Sequence, residues 1–320
     1  MRGLPSSPGA GLRTGAGDDA AVFGSARGRE WVISSDAFLE DVHFLARAHP
    51  PEVVGYKALA RATSDLAAMG ATPRFFLLNL ALPLERTGRW LDECLRGMAK
   101  AARRFGMKLA GGDTARNRLI ALNLTVLGEI APGRAVLRSG ARLGDQLFVT
   151  GKLGAAQLGL EIVLRGISRQ ARWWKLLAPH YYPVPPVALG RWLASRGLAS
   201  SMMDLSDGLS TDLRRLCQAS GVGARIWSDR LPMADVHRAL MRRGLRFPEP
   251  LHLALHGGED YQLLFTVPER LAGRIPDRRD GVKITRVGEI VRGRGIELCT
   301  PDGKSTRVAP RGWDHFAPPR

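Results

Sequence analysis

Apolar positions along the chain fall into two alternating rhythms. From Pro51 to Gly70 they recur at Val54, Ala58, Leu59, Ala62, Leu66 and Met69, the spacing of one helix face, with Pro51 suited to the first turn and Gly70 to the end. Trp90 to Phe105 repeats that period with Arg and Lys outward. Between and around these helices lie apolar strand-type runs. They are a short one in GDDAAVF, Trp31–Ile33, the near-continuous Arg74–Leu82, Met107–Ala110, and Leu119–Ile130, whose alternation suits a mixed or antiparallel sheet. Gly133–Gly144 reads as a connection into a second half.

That half predicts strands at Gln146–Thr150, Ser201–Leu205, Ala224–Trp227, Tyr261–Val267, Lys283–Ile290 and Ile296–Thr300. Helices are expected from the Gly151–Gly154 turn to about Leu164, from Gly208 to about Ser220, at Ala234–Arg243 and at Leu251–His256. Pro179–Pro186 is Pro- and Tyr-rich and is expected to be a loop. TVLGEI at 125–130 and TRVGEI at 285–290 hint that the halves are related copies.

A chain of 320 residues suits two domains, here drawn at 1–135 and 136–320, and 45% hydrophobic with 24% charged residues is a globular composition. The net charge of +17 would suit an anionic partner, but the basic residues are scattered, with no run of five and no aromatic interleaving. Three well-separated cysteines, Cys94, Cys217 and Cys299, argue against a disulfide framework and a zinc site and fit a reducing cytoplasm. No apolar signal region and no run of 18 apolar residues occurs, so a soluble protein without membrane partners is expected.

The carboxylates change this picture. The Trp31 strand is expected to end on Ser34, Ser35 and Asp36, with no Lys or Arg between Glu30 and Arg47 to pair with Asp36, and Glu40, Asp41 and His43 follow. Asp19, Asp65, Asp113, Asp204 and Asp207 likewise close apolar elements beside Gly, Ser or Thr. Asp65 sits where the helix dipole disfavours an anion. One such Asp is usually a cap. Six in a strongly basic chain are better explained by a shared site for hard divalent cations, which take oxygen ligands from a few carboxylates and from substrate phosphates. Phosphoryl transfer needs that arrangement, because charge on the transferring group must be neutralised while the substrates are held in line.

Asp302–Thr306 (DGKST) resembles the tail of a P-loop, but Leu298 stands where its first Gly belongs and the segment joins two strand-like runs, so it reads as a hairpin turn. The protein-kinase motif set is missing as well.

Eight segments carry a resemblance: GDDAAV (17–22), the SD-x-x-x-E-x-VHF run (35–44), YKALA…SDLAAMGA (56–71), GGDT (111–114), LRSGARLGD (137–145), DLSDGLSTDL (204–213), GGEDYQLLF (257–265) and GWDHF (312–316). In order and spacing the chain resembles the thiamine-monophosphate kinases, of the aminoimidazole-ribonucleotide synthetase-like superfamily of ATP enzymes. The resemblance implies an α/β (α+β) two-domain fold. Its amino-terminal α/β half binds ATP and metal and joins sheets with a second copy into a homodimer barrel; its carboxyl-terminal half is α+β, with ATP and metals in the cleft between. It implies transfer of the ATP γ-phosphoryl to thiamine monophosphate with several Mg²⁺ ions. The implied metal ligands are Asp19, Ser34, Ser35, Asp36, Asp65, Asp113, Asp204 and Asp207, with Asp18 an alternative to Asp19. Gly112, Asp113, Arg138 and Ser206 would hold ATP; His43, Glu259 and Trp313 would hold thiamine monophosphate; Asp113, Asp207 and Arg138 would act in catalysis. The chain departs from the family pattern at Ala37, Asp41 (usually Gly) and Gln262, and in its Gly/Pro/Ser-rich start. Another ATP enzyme of the superfamily with a different acceptor, and a basic nucleic-acid-binding protein, remain the alternatives; the second gives the aspartates no purpose.

Overall fold

The structure, a computed structural model, describes residues 11–14, 17–24, 28–168, 170–235 and 246–316. It divides into two compact units, Met1–Leu137 with Val187–Gly197, and Arg138–Pro186 with Leu198–Arg320.

The first unit is a six-stranded sheet. In chain order its strands are β1 (Leu12–Thr14), β2 (Ala21–Gly24), β3 (Glu30–Leu39), β4 (Thr72–Leu82), β5 (Lys108–Arg116) and β6 (Ala121–Ile130); in space they run β1-β2-β3-β6-β4-β5. All neighbours pair antiparallel except β4 with β5, so the sheet is mixed as the alternation of β6 suggests. Leu122, Leu124 and Val126 of β6 and Phe76, Leu78 and Leu80 of β4 are buried on one face. Helix α1 (Pro51–Ala68), almost wholly buried, covers that face and packs against α2 (Arg89–Phe105).

Two strands outrun their expected ends. β3 continues through Ser34, Ser35 and Asp36 to Leu39, because β6 supplies a ladder partner for every residue as far as Ala121. Asp36 is therefore in mid-strand, a correction to the expectation that it closes one. β5 likewise runs on through Gly111–Thr114 to Arg116, paired with β4.

The second unit holds an eight-stranded sheet. Its strands are β7 (Gln146–Thr150), β8 (Ser201–Asp204), β9 (Gly223–Trp227), β10 (Leu263–Val267), β11 (Arg278–Arg279), β12 (Val282–Val291), β13 (Gly295–Cys299) and β14 (Ser305–Arg307). Their order is β14-β13-β9-β12-β7-β10-β8, with β11 on β12. Among the described residues its helices are α3 (Ala155–Leu164), α4 (Trp174–Tyr181), α6 (Leu209–Ser220), α7 (Pro250–His256) and the single turn α8 (Glu269–Ala272); α5 (Val187–Arg196) belongs to the first unit. Leu147, Val149, Leu213, Leu216, Ile226, Leu264, Val287 and Ile290 form the core. The Pro179 segment differs from expectation: α4 carries Pro179 inside it, held by the burial of Leu177, His180 and Tyr181. The helix expected at Ala234–Arg243 falls mostly outside the described residues. TVLGEI and TRVGEI each occupy a central strand, β6 and β12. DGKST forms the β13–β14 hairpin, with Cys299 opposite Ser305.

Candidate active site

In the first unit the expected ligands divide between the two faces of the sheet. Alternation along β3 turns Ser34 and Asp36 towards α1, where Arg61 and Asp65, four residues apart on one helix face, meet them. The Ser34 hydroxyl donates to Asp65 Oδ2 at 2.5 Å. The Arg61 guanidinium holds Asp36 through Nη2 to Oδ1 at 3.0 Å and Nε to Oδ2 at 2.8 Å. The base that the flanking sequence of Asp36 lacks thus comes from α1. Asp19 is buried and brings a carboxylate oxygen within 4.8 Å of one on Asp65, whereas Asp18 accepts the Asp19 N–H at 3.0 Å.

Ser35 points to the opposite face, its Oγ 3.2 Å from Thr125 Oγ1. Asp113 shares that face: it lies opposite Asn79, which lies opposite Asn123, so the register builds one polar row across three strands. The Asp113 carboxylate accepts the Thr114 N–H at 2.8 Å. Gly112 has a steric reason to be glycine, because a Cβ there would stand 1.9 Å from the Leu78 carbonyl oxygen. In the turn after β3, the His43 Nδ1 accepts the Leu39 N–H at 3.0 Å, which leaves Nε2 as the proton-bearing nitrogen of the neutral ring. Asp41 has φ +63°, a left-handed conformation that glycine would adopt at no steric cost.

In the second unit the chain from Asp204 to Gly208 is a hub. Asp204 is buried at the end of β8. Arg215, two turns into α6, pairs with Asp207 and reaches Asp212 Oδ1 at 3.0 Å. Asp212 is fully buried and its Oδ2 accepts the N–H groups of both Asp207 and Gly208 at 3.0 Å. Burial, with Asp207 and Asp204 nearby, pushes the Asp212 carboxyl well above the usual range, against the pull of Arg215. Two further segments hang on the hub. The Glu259 N–H donates to the Ser206 carbonyl at 2.7 Å, and the Tyr261 N–H to that of Leu205 at 2.9 Å. The Trp313 N–H donates to the Asp207 carbonyl at 3.0 Å. A Cβ on Gly312 would lie 2.0 Å from that same oxygen.

Glu259 and Tyr261 both adopt positive φ, +65° and +48°, a strain of order 1–3 kcal/mol each that the surrounding bonds must hold. Between them Asp260 accepts the N–H groups of Gly154 and Ala156 at 2.6 and 3.0 Å, at the start of α3. Burial pushes its carboxyl up to about 7, opposed by those bonds. Glu259 Oε2 lies 3.4 Å from Nδ1 of the buried His180. Trp313 is half-exposed and meets His315 edge to face. Ser220 Oγ donates to the Arg138 carbonyl at 3.1 Å, and the Arg138 charge is close enough to act on Arg215. Gln262, one of the departures, accepts the Thr150 hydroxyl at 2.7 Å.

Arg61, Arg215 and His180 escape a sequence search for acidic ligands, and Asp212 and Asp260 lie inside the resembling segments without being singled out as ligands. The Arg61–Asp65 and Asp212–Arg215 spacings are legible as helix-face pairs; nothing in the sequence marks His180. Burial pushes the Cys94 and Cys217 thiols up to about 12, so both are neutral.

Two family profiles match: AIR synthase related protein, N-terminal domain, over residues 17–130, and AIR synthase related protein, C-terminal domain, over 144–299. The chain is 38% identical over 313 residues to the thiamine-monophosphate kinase of Salmonella typhimurium, covering 96% of this chain and 93% of that protein. With the Bacillus subtilis thiamine-monophosphate kinase it shares 34% over 316 residues, at 94% and 93% coverage. Among solved structures, AaThiL complexed with AMPPCP and TMP has a TM-score of 0.83 at 32% identity, covering 94% of this chain and 91% of that one.

Proposed function

We propose, from the premise that this chain belongs to the AIR synthase related proteins and within them to the thiamine-monophosphate kinases, that it transfers the ATP γ-phosphoryl to thiamine monophosphate, giving thiamine diphosphate and ADP. The observation that carries this reading is the collinear likeness to those kinases through both units. The acceptor is itself a phosphate, ionised at pH 7, so alignment and charge neutralisation suffice and no strong general base is needed.

The residue roles belong to the same proposal. Asp19, Ser34, Ser35, Asp36, Asp65 and Asp113 of the first unit, and Asp204 and Asp207 of the second, are the proposed metal ligands. Their hard oxygen donors, with Asp19 and Asp65 within 4.8 Å of each other, fit Mg²⁺. The ion when bound neutralises phosphate charge. Gly112 keeps β5 close to β4 so that Asp113 stays in its row, and Ser206 and Asp113 hold the nucleotide. Arg138 offers a guanidinium fork to phosphate oxygens. His43 donates from Nε2 to the acceptor phosphate. Trp313 presents an aromatic face to the cationic thiazolium, and Glu259, steadied by His180, orients the pyrimidine.

The amino-terminal portion to about residue 135 serves as the ATP-, metal- and dimer-forming domain in this reading. Phe75, Leu77 and Leu109, apolar and exposed on β4 and β5, support a homodimer. Free cysteines suit a cytoplasmic setting. Among the described residues no helix is long and apolar enough to cross a membrane.

The test incubates purified protein with ATP, Mg²⁺ and thiamine monophosphate and follows thiamine diphosphate, with thiamine as control acceptor. Asp113→Asn and Asp207→Asn should abolish turnover, whereas Trp313→Ala should mainly raise KM. Formation of thiamine diphosphate from thiamine alone, or of none from the monophosphate, would overturn the assignment.

A further inference from the structure

Helix α6 presents a second stripe besides the one that carries Arg215. Arg214, Cys217, Gln218 and Gly221 recur at the i, i+3, i+4, i+7 spacing of one face, about 100° round the helix from Arg215. That stripe helps to line a concavity of about 550 Å³, together with Arg294 from the β12–β13 turn and Arg307 from the end of β14. The volume lies within the range of small-molecule sites, roughly 300–1,000 Å³.

Three arginines from three separate elements therefore line one hollow. Each is exposed, and among the described residues none makes an ion pair or a side-chain hydrogen bond. The nearest acid in register with Arg307 is Glu297, and it bridges Arg225 at 3.5 Å instead. Guanidiniums stay charged at any working pH, so the arginines that line the hollow give it a positive wall with no carboxylate among its lining residues. The carboxyl end of α6 would ordinarily oppose an anion. Here the Cys217 and Gln218 carbonyls are taken up by the N–H groups of Val222 and Gly221, at 3.0 and 3.3 Å. Gly295, at φ +124°, leaves the floor bare, and a Cβ there would stand 3.4 Å from Arg307 Nε and Nη2, against the guanidinium. Cys217 and Val222 supply a short apolar wall; the buried neutral thiol is a surface to pack on and not a nucleophile.

We propose that this hollow is a binding site for a small anion carrying a chain of two or more phosphates, held by the forks of Arg214, Arg294 and Arg307. Planar guanidiniums match phosphate oxygens two at a time, and three of them exceed what a single carboxylate can engage. Such a chain exists free or attached to a nucleoside. In the nucleoside case the base can lie on Val222 and Cys217, and the nucleotide binds more tightly than the bare chain.

The experiment titrates the full chain with inorganic tripolyphosphate in metal-free buffer by calorimetry, and in a second arm with ATP in the same buffer. Without metal the aspartate clusters repel both probes, which separates this site from the kinase reaction. The expected result is one tripolyphosphate per chain, weakened at least tenfold by Arg294→Ala and by Arg307→Ala, further by the double variant, and unchanged by Arg138→Ala. Turnover of the two single variants without added tripolyphosphate should stay within twofold of the parent, and circular dichroism should confirm their folding. Tighter binding in the ATP arm identifies the nucleoside-borne chain; equal binding identifies the bare one. No binding at millimolar tripolyphosphate, equal binding by the arginine variants, or loss of binding on Arg138→Ala would overturn the proposal.

Discussion

Gly112→Ala is the sharpest perturbation of the reaction that removes no polar side chain. A Cβ at Gly112 would stand 1.9 Å from the Leu78 oxygen, 2.7 Å from its carbonyl carbon and 3.0 Å from its nitrogen, whereas real Cβ atoms essentially never approach closer than 3.0 Å. The chains must part by about 1.1 Å, the shortfall from 3.0 Å. β4 is held on its other side by β6, but β5 is the sheet edge, so β5 moves. Asp113 is the next residue and moves with it. In the role proposed for Asp113, a displacement of about 1 Å costs on the order of 10²-fold in turnover. Loss of two ladder bonds at the edge costs about 1–3 kcal/mol of stability. Gly111→Ala is the control. Its φ of +156° nearly equals the +158° of Gly112, so any backbone cost is shared, yet its Cβ meets only Leu77 Cδ2 at 3.6 Å. Thiamine diphosphate formation should fall about a hundredfold for Gly112→Ala and only a few-fold for Gly111→Ala, with circular dichroism confirming that both fold. A kcat for Gly112→Ala within threefold of the parent would refute the steric argument.

Gly312→Ala, whose Cβ would meet the Asp207 carbonyl at 2.0 Å, should detach the Trp313 segment and raise KM for thiamine monophosphate at least tenfold, more than it lowers kcat; steady-state kinetics against both substrates separates the two. Asp260 is an acid whose folded value is raised, to about 7, so the folded state holds its proton more tightly than the unfolded chain. Its contribution is present below the unfolded value near 4 and is lost as pH rises to about 7, an effect of at most about 4 kcal/mol. Denaturant melts of parent and Asp260→Asn between pH 4 and 8 should therefore differ in slope, the parent losing more stability with rising pH; parallel curves count against a protonated Asp260. Millimolar Mg²⁺ with a non-hydrolysable ATP analogue should raise the melting temperature, by about 2.7 kcal/mol of binding free energy at a hundred times Kd. Asp19→Asn with Asp65→Asn should remove most of that shift.

Much of the first unit is legible in sequence because its helices and strands carry clean periods and Pro51 and Gly70 punctuate the first helix. β4 and β6 lie within two residues of their expected limits, and the turn at DGKST is a hairpin as the flanking strand-like runs require. The errors at β3 and β5 share one cause. Ser34, Ser35, Asp36 and the Gly111–Thr114 run have weak strand propensity, and only the non-local ladders with β6 and β4 hold them extended. The acidic residues were visible as types and spacings. Their counter-ions were not, since Arg61 reaches Asp36 across 25 positions of sequence. The polar row of Asn79 and Asn123 beside Asp113 is invisible without the register. Glu259 and Asp41 show why local propensity fails at such places, because each occupies a conformation that its own residue type disfavours.

The counter-ions explain how either unit tolerates its acids before any ligand arrives. Two carboxylates with oxygens within 4.8 Å of each other, as at Asp19 and Asp65, repel by about 3 kcal/mol or more at an effective dielectric constant of 20. The single proton that Ser34 donates to Asp65 offsets only part of that. In each unit a helix-borne guanidinium answers a neighbouring acid, Arg61 on Asp36 and Arg215 on Asp207. A divalent ion entering at Asp36 or Asp207 must displace or share an arginine already seated there, while at Asp19 and Asp65 it relieves repulsion outright. The acids of one chain are therefore graded in their readiness for metal. In the proposed ligand set, binding would therefore start at Asp19 with Asp65, and engagement of the arginine-held aspartates would wait on the extra negative charge that the nucleotide's phosphates bring to compensate the guanidinium.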